Sequence, residues 1–231
     1  MFKELQITLY DVFGYLLPGS IILIAVVILF WSLFWPSVPL ALWGDVPMLA
    51  GIGLIFSAYL AGHLGQGIGN FMEKLPNIKR KLETDLPCSA ELSQLVRDAV
   101  VVRFGEQSRS LNPKELALLC DQSLIFAGSP GERDIFVYRE GFYRGNCVAL
   151  ALLGLTLVLR LVCSPAVVYL ADARIEIRRS QLALAAVIAA FGTWLSLLRY
   201  LRFGRHKNAA CLARFLALAT APSKEKEKQS P

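Results

Sequence analysis

Residues 12–35 read VFGYLLPGSIILIAVVILFWSLFW and carry no charged side chain. A bilayer core about 30 Å thick is crossed by about 20 apolar residues in an α-helix. The stretch therefore predicts a membrane span that ends just before Pro36. It is longer than the apolar region of about 7–15 residues in a cleaved signal peptide, and no small-residue cleavage pattern follows it. We expect it to act as a signal anchor.

Three further stretches are long and apolar enough to be predicted spans. The second is 48–70, which is uncharged if His63 is neutral, the third is 146–168, and the fourth is 182–198, which has about the minimum length. Apolar residues make up 55% of the 231 positions and charged residues 18%, against about 45–50% and 25% in soluble domains. The sequence predicts an all-α membrane protein with four transmembrane helices.

The predicted organisation follows from these spans. Residues 1–72 form an N-terminal transmembrane hairpin, 73–144 a small, mainly helical cytosolic domain, and 145–198 a C-terminal transmembrane hairpin. Residues 199–231 form a basic juxtamembrane helix and a disordered charged tail. A domain of 72 residues is small for a core of its own, which favours docking on the spans or on other copies.

Orientation is predicted from the positions of lysine and arginine. With both termini inside, twenty of the 24 basic residues are cytoplasmic and three, in the loop 171–181, are outside. The positive-inside rule therefore favours four spans with cytoplasmic termini. The three outer arginines, which directly precede the fourth span, count against this orientation.

Local patterns predict helices in the cytosolic domain. Asn112 is placed as the cap of a helix with Pro113 at its first position and Glu115 at its third, and Gly128 ends that helix. An earlier helix is predicted over 91–103, ending near a glycine.

Two other segments of this domain, one before and one after the helix that begins at Pro113, also carry local patterns. The run Val100–Phe104 is β-branched enough to leave a strand open. Ser129 and Glu132 fit a second capping pattern, whose helix we expect to continue into the third span as one rod.

Small residues follow one face of the second span. Their four-residue spacing contains G-x-x-x-G, a pattern that lets two membrane helices approach closely. The residues are Ser57, Ala61, Gly65 and Gly69.

A second face of the same span is polar, and we call it the polar stripe. Polar groups in a membrane helix face protein or water rather than lipid. The stripe is interpreted as a pore lining or a ligand-sensing contact, or as an interhelical hydrogen-bonding site such as one between His63 and Asp11. Its members are Tyr59, His63, Gln66 and Asn70.

Arg160 is the only charged residue inside a predicted span. Toward the outer end of the third span, its long side chain can extend to the interface. The alternatives are pairing with Asp45 or Asp172, and lining a pore.

Basic residues near the predicted cytoplasmic surface form candidate ligand sites. Lys79, Arg80 and Lys81 follow the second span, and Arg139 and Arg144 stand among aromatic residues before the third. Such positions attract anionic lipid. A bound nucleotide would use the same charges.

The segment that follows Arg205 is too short in its apolar run to span a bilayer. It could lie on the membrane surface with Arg214 toward the headgroups, or it could pack on the cytosolic domain.

Groups that carry catalysis or hold metals are sparse. There are two histidines, no C-x-x-C pair among five cysteines, and no G-x-S-x-G, H-E-x-x-H or phosphate-binding loop. We expect reduced thiols, no metal site, no cofactor, no catalytic residue and no enzymatic activity.

Three segments carry a resemblance: YDVFGYLLPGS at 10–20, AYLAGH at 58–63 and YREGFYRGN at 138–146. Together they resemble small multi-span bacterial inner-membrane proteins, some of which are membrane effectors of anti-phage defence systems. The resemblance implies a homo-oligomer in the bacterial inner (plasma) membrane, with a cytosolic sensing part that controls a pore. In some such systems the signal is a nucleotide-derived ligand.

Two functions remain open at this point. The first is a gated, ion-conducting or membrane-depolarising channel controlled by a ligand or partner at its cytosolic domain. The second is a non-conducting anchor or scaffold that recruits a cytosolic protein. An enzyme acting on lipid ranks below both, because Asp11, His63 and Asp85 are too sparse for an acid–base pair.

Overall fold

A computed structural model describes residues 2–34, 48–78, 90–128, 133–163, 168–170, 173–175 and 178–220. Nearly all of them are helical, which confirms the all-α class. The helices are α1 (Phe2–Phe34), α2 (Met48–Met72), α3 (Ala90–Phe104), α4 (Pro113–Phe126), α5 (Arg133–Cys163) and α6 (Arg179–Thr220). A 3-10 helix, Glu106–Ser110, joins α3 to α4.

One short antiparallel ladder interrupts the helices, and the sequence did not predict it. Strand β1 (Val168–Leu170) pairs with β2 (Ala173–Ile175), with Tyr169 opposite Arg174. The run Val100–Phe104, for which a strand was left open, belongs to α3 instead.

Within the described residues, three helices are long and apolar enough to cross a membrane, rather than the predicted four. They are α1 over Val12–Phe30, α5 over Phe136–Val162, and α6. Helix α2 is not among them. Six glycines and the polar stripe lie among its apolar residues.

The chain forms two compact units. Unit 1 comprises Met1–Leu75 and Tyr138–Tyr200, and unit 2 comprises Pro76–Val137 and Leu201–Pro231. Each unit therefore combines segments that are distant in sequence.

Helices α1 and α2 approach within backbone contact in unit 1. A Cβ atom added to Gly19 would lie 1.7 Å from the carbonyl oxygen of Ala58, and one added to Gly62 would lie 2.0 Å from that of Tyr15. Only residues without a side chain permit this approach. The two helices therefore meet through Gly19 and Gly62, and Gly62 lies outside the small-residue face derived from spacing.

The small-residue face is divided among several neighbours. Gly65 lies against the side chain of Ile22 on α1, and Gly69 lies against Arg144 on α5. Ala61 is buried beside Ile22 and Ala149. Ser57 is exposed. The face thus packs α2 against α1 and α5 instead of a single partner helix.

Helices α5 and α6 pack through small residues as well. A Cβ on Gly154 would lie 3.5 Å from the Cβ of Ala189, and one on Gly192 would lie 3.0 Å from Leu150. Leu157, Leu182 and Ala186 form a buried cluster beside these contacts.

Unit 2 has an apolar core built from three helices. Phe215 and Leu212 of α6 are fully buried with Val100 of α3 and Leu116 of α4. The segment after Arg205 is therefore the end of α6 and packs on the predicted cytosolic helices, as one of the two sequence interpretations proposed. The core consists of Val96, Val100, Leu116, Cys120, Leu124, Cys211, Leu212 and Phe215.

The core of unit 2 holds two of the free thiols. Cys120 and Cys211 are both buried. Burial, with smaller effects from Cys211 and Asp121, raises the pKa of the Cys120 thiol to about 12. Because the thiolate is the reactive form, Cys120 is expected to stay inert at neutral pH.

The predicted helix boundaries in unit 2 are confirmed. The backbone N–H of Asn112 donates to the Glu115 carboxylate, and the backbone N–H of Glu115 donates to the Asn112 side chain, both at 3.0 Å. Gly128 follows α4 with a φ of 63°, and Gly105 follows α3 with a φ of 91°. The pattern at Ser129 and Glu132 lies outside the described residues. Helix α5 nevertheless runs unbroken from Arg133 to Cys163.

The close approach at Gly62 predicts a large effect of one methyl group. We expect Gly62→Ala to destabilise the chain by about 1–3 kcal/mol, because the added Cβ collides with backbone atoms that cannot move separately. Thermal unfolding in detergent should show a midpoint lower by roughly 2–4 °C per kcal/mol.

The matched control is Gly53→Ala on the same helix, where no atom lies within 4 Å of the added Cβ. This variant should gain about 0.5–1 kcal/mol from the better helix propensity of alanine. Equal midpoints for the two variants would contradict the close packing of α1 on α2.

Candidate functional site: a polar cluster that joins α2, α5 and α6

The side chain of Gln66 is the centre of a buried hydrogen-bond network. Its amide nitrogen donates to the backbone carbonyl of Gly141 on α5 at 2.5 Å. Its amide oxygen accepts from Nε of Arg144 at 3.2 Å. Gln66 is 9% exposed. The amide therefore uses both of its ends to hold α2 against α5.

Arg144 extends this network to the end of α2. Its Nη1 donates to Oε1 of Glu73 at 2.8 Å, and the same oxygen accepts from the Tyr200 hydroxyl of α6 at 3.2 Å. Gln66, Glu73, Arg144 and Tyr200 are called the polar cluster below. One carboxylate oxygen thus connects α5 and α6 to the residue that follows α2.

Glycines make room for these long side chains. A Cβ on Gly69 would lie 2.7 Å from Cγ of Arg144, so the arginine stem crosses α2 where α2 has no side chain. A Cβ on Gly145 would lie 2.8 Å from the Gln66 amide and 3.1 Å from Pro18 of α1. The cluster therefore requires both its polar residues and the glycines that leave space for them.

The two charged side chains of the cluster are more exposed to solvent than its phenol. The Arg144 side chain is 20% exposed and that of Glu73 is 43% exposed, so the pair is partly screened by solvent. Tyr200 is fully buried, and Glu140, also buried, acts electrostatically on it. The arrangement holds opposite charges and a phenol in fixed positions, and its direct effect is to fasten three helices together.

The remaining polar-stripe residues lie elsewhere. The ring of His63 stacks on Tyr15 of α1 with 3.8 Å between centroids, and Tyr59 packs edge-on against both rings. His63 and Asn70 are exposed, whereas Gln66 is buried. The stripe is therefore divided into a buried contact and an exposed edge. The side chain of Asp11, the alternative partner of His63, lies outside the described residues.

Arg160 is 8% exposed and packs within unit 1, on the same side of α5 as the buried Thr156. Its proposed partners Asp45 and Asp172 lie outside the described residues, and so do Lys79, Arg80 and Lys81.

The two arginines expected to meet ligand or lipid have different positions. Arg139 is exposed, and Arg144 belongs to the polar cluster. Sequence reasoning missed Glu73, Tyr200 and Tyr15. Glu73 is the first acidic residue after the second span, and Arg144 is the last basic residue before the third. These opposite charges beside two predicted spans were the feature of the sequence that could have indicated the ion pair.

Among the residues that the structure describes, no three His, Cys, Asp or Glu side chains are grouped closely enough to hold a metal ion. Comparisons with protein-family models, curated proteins and solved structures find no match to this chain.

The polar cluster predicts energetic coupling between Glu73 and Arg144. In a double-mutant cycle with Glu73→Gln and Arg144→Gln, we expect a coupling energy of about 0.5–3 kcal/mol, because the two groups share buried partners. The measurement is the free energy of unfolding of the four proteins in one detergent.

Glu106 and Arg109 provide the matched control pair. They form an ion pair of 3.2 Å whose side chains are 72% and 64% exposed. The same cycle on this pair should give a coupling of roughly 0–0.5 kcal/mol. A coupling for Glu73 and Arg144 no larger than this control would contradict a structural role for the cluster.

Proposed function

We propose that this protein is a homo-oligomeric integral membrane effector of the bacterial inner membrane that forms a gated, ion-conducting channel. The proposal rests on membrane-length apolar helices, a polar edge on α2 and the lack of recognisable catalytic groups in the sequence. The main support for the proposal is the exposed edge of the polar stripe.

The edge consists of His63 and Asn70, the two exposed residues of the stripe, at i and i+7 on α2. Polar side chains on a helix that crosses a bilayer avoid lipid, because nothing there replaces their hydrogen bonds to water. In an oligomer, the α2 helices of several copies would turn these edges toward a shared aqueous path. Tyr15 and Tyr59 hold the His63 ring in position beside that path.

The polar cluster supplies an element that could keep the channel closed. Its one shared carboxylate oxygen accepts from Arg144 of α5 and Tyr200 of α6 at the end of α2, so loss of that carboxylate removes two polar contacts between helices at once. A ligand or partner that binds the cytosolic helices is proposed as the trigger. A nucleotide-derived ligand and a role in anti-phage defence belong to this proposal through the resemblance alone.

The channel predicts that removing polarity from the edge lowers conductance. His63→Leu and Asn70→Leu should each reduce the conductance of reconstituted protein in planar bilayers at least about tenfold, since about 1.4 kcal/mol added to a barrier suffices for that factor. Glu73→Gln serves as a background in which the polar cluster is weakened, so that conductance can be measured without an identified ligand.

Ser57→Leu is the matched control for this experiment. Ser57 is also exposed on α2 but lies about 120° around the helix from His63. It should leave conductance unchanged. If neither the wild-type protein nor the Glu73→Gln protein conducts, the channel proposal fails.

The proposal includes a fourth crossing by α2, with both termini in the cytoplasm. An even number of crossings places the two ends on one side of the membrane, whereas three crossings place them on opposite sides. We therefore expect a fluorescent protein that folds only in the cytosol to be fluorescent when fused at either end. Alkaline phosphatase, which is active only outside, should be inactive at both ends.

The same fusions also test the alternative, in which the chain crosses the membrane three times. A fluorescent N-terminal fusion together with an active C-terminal phosphatase fusion would show that α2 does not cross.

A non-conducting anchor or scaffold is the second candidate, and exposed apolar residues of unit 2 favour it. Val102 of α3 and Phe126 of α4 are each 88% exposed, and Leu95 and Leu118 are more than half exposed. Exposed apolar groups on a polar domain mark protein contacts. The scaffold requires that His63→Leu and Asn70→Leu leave function intact while Val102→Asp abolishes partner recruitment, which is the reverse of the channel's pattern.

A further inference from the structure

Two hydrogen-bond donors of the polar cluster converge on one oxygen atom. Nη1 of Arg144 lies 2.8 Å from Oε1 of Glu73, and the Tyr200 hydroxyl lies 3.2 Å from the same oxygen. The amide oxygen of Gln66 accepts from Nε of Arg144 at 3.2 Å, which fixes the orientation of the guanidinium. A guanidinium and a hydroxyl directed at one point are the donors with which proteins bind carboxylate and phosphate oxygens. In this structure the oxygen at that point belongs to the protein itself.

Glu73 is the most accessible member of this arrangement. Its side chain is 43% exposed, and it follows Met72, the last residue of α2. A partly exposed ion pair contributes modestly to stability, because water competes for both charges. The donors are less accessible, since the Arg144 side chain is 20% exposed and Tyr200 is fully buried. The carboxylate can therefore leave at little cost while the two donors stay in place.

All three helices place this arrangement at the end of a charge-free stretch. Helix α2 contains no Asp, Glu, Lys or Arg, and Glu73 is the first such residue after it. Arg144 is the last charged residue before the charge-free stretch 145–159 of α5. Tyr200 directly follows Arg199, which ends the charge-free stretch 180–198 of α6. Basic and amphipathic aromatic residues at such ends lie among lipid headgroups, where the phosphates are.

We propose that the polar cluster is a binding site for the headgroup phosphate of a membrane phospholipid, and that Glu73 occupies this site in the structure. A phosphate oxygen takes the place of Oε1 of Glu73 and accepts from Arg144 and Tyr200, while the carboxylate turns to water. A lipid phosphodiester carries one negative charge, as the carboxylate does. The exchange therefore adds no charge beside the buried Glu140, which acts electrostatically on Tyr200.

This assignment rests on the membrane location in the proposed function and not on ion conduction. Lipid binding and conductance are measured separately, so either can fail while the other stands. When both hold, a headgroup that displaces Glu73 removes the acceptor shared by α5 and α6 at the end of α2. The lipid would then regulate the element proposed to keep the channel closed.

The experiment measures lipid association in nanodiscs. Purified full-length protein is embedded in phosphatidylcholine with a trace of spin-labelled phosphatidylglycerol or spin-labelled phosphatidylcholine, and the preference is the ratio of their association constants. Phosphatidylglycerol should be preferred, because its phosphate has no choline cation beside it. We expect Glu73→Gln to raise the preference about fivefold by removing the competing carboxylate, and Arg144→Gln to lower it by at least that factor. No preference in either the wild-type protein or Glu73→Gln overturns the proposal.

The double variant separates a site from general attraction between charges. If Glu73 and the lipid compete for Arg144, Glu73→Gln has no effect on the preference in the Arg144→Gln background. General attraction depends on the total charge of the protein, so it requires the same increase with and without Arg144. An equal increase in the two backgrounds contradicts the site.

Tyr200→Phe tests the site without changing any charge. It removes the second donor and should lower the preference for phosphatidylglycerol about two- to tenfold, as expected for one hydrogen bond. Because the ring stays in the core, this variant also tests the site if Arg144→Gln does not fold. Ser196→Ala is the matched control, since it removes a buried hydroxyl one turn earlier on α6 and should leave the preference unchanged. An equal loss in both variants overturns the proposal.

A second arm separates a lipid from a soluble phosphate ligand. Glycerophosphoglycerol, which presents the phosphodiester of phosphatidylglycerol without acyl chains, is titrated into detergent-solubilised protein by calorimetry. We expect no saturable binding at millimolar concentration, because the acyl chains are what hold the headgroup beside the cluster. Saturable binding that disappears in Tyr200→Phe would overturn the lipid assignment in favour of a soluble phosphate ester.

Discussion

The contact between α1 and α2 is the constraint on which unit 1 depends. Gly19 and Gly62 bring the two backbones so close that a side chain at Gly19 would collide with the backbone of Ala58, and one at Gly62 with the backbone of Tyr15. This approach sets which residues of α2 face inward. It also brings Tyr15 against His63, and it leaves Gln66 directed at α5.

The polar cluster builds on that placement. With Gln66 fixed, the backbone of α5 must pass close to α2, and Gly69 and Gly145 permit it. Arg144 then reaches across α2 to Glu73, and Tyr200 of α6 joins the same oxygen. A partly buried ion pair contributes modestly to stability, because desolvation offsets much of the attraction. Its greater effect is specificity, since it fixes which faces of three otherwise apolar helices meet.

The sequence anticipated much of the helical framework, because its signals are local. Caps at Asn112 and Glu115, stops at Gly105 and Gly128, and charge-free stretches each depend on residues within a few turns of one another. The sequence did not reveal Glu73 and Tyr200 as members of one cluster, since they are 127 residues apart. The number of membrane-length helices also differed: α2, in which glycines and polar groups lie among the apolar residues, is not one of the three that the described residues contain.

The sequence by itself determined that this chain is helical, rich in membrane-length apolar segments and poor in catalytic groups. Composition and helical periodicity are enough for those conclusions. Only the tertiary structure decided how the polar stripe is used. Spacing places Gln66 and His63 on one face of α2, but the neighbouring helices bury Gln66 in the polar cluster and leave His63 at an exposed edge. Periodicity defines a face, and only packing determines what covers each part of it.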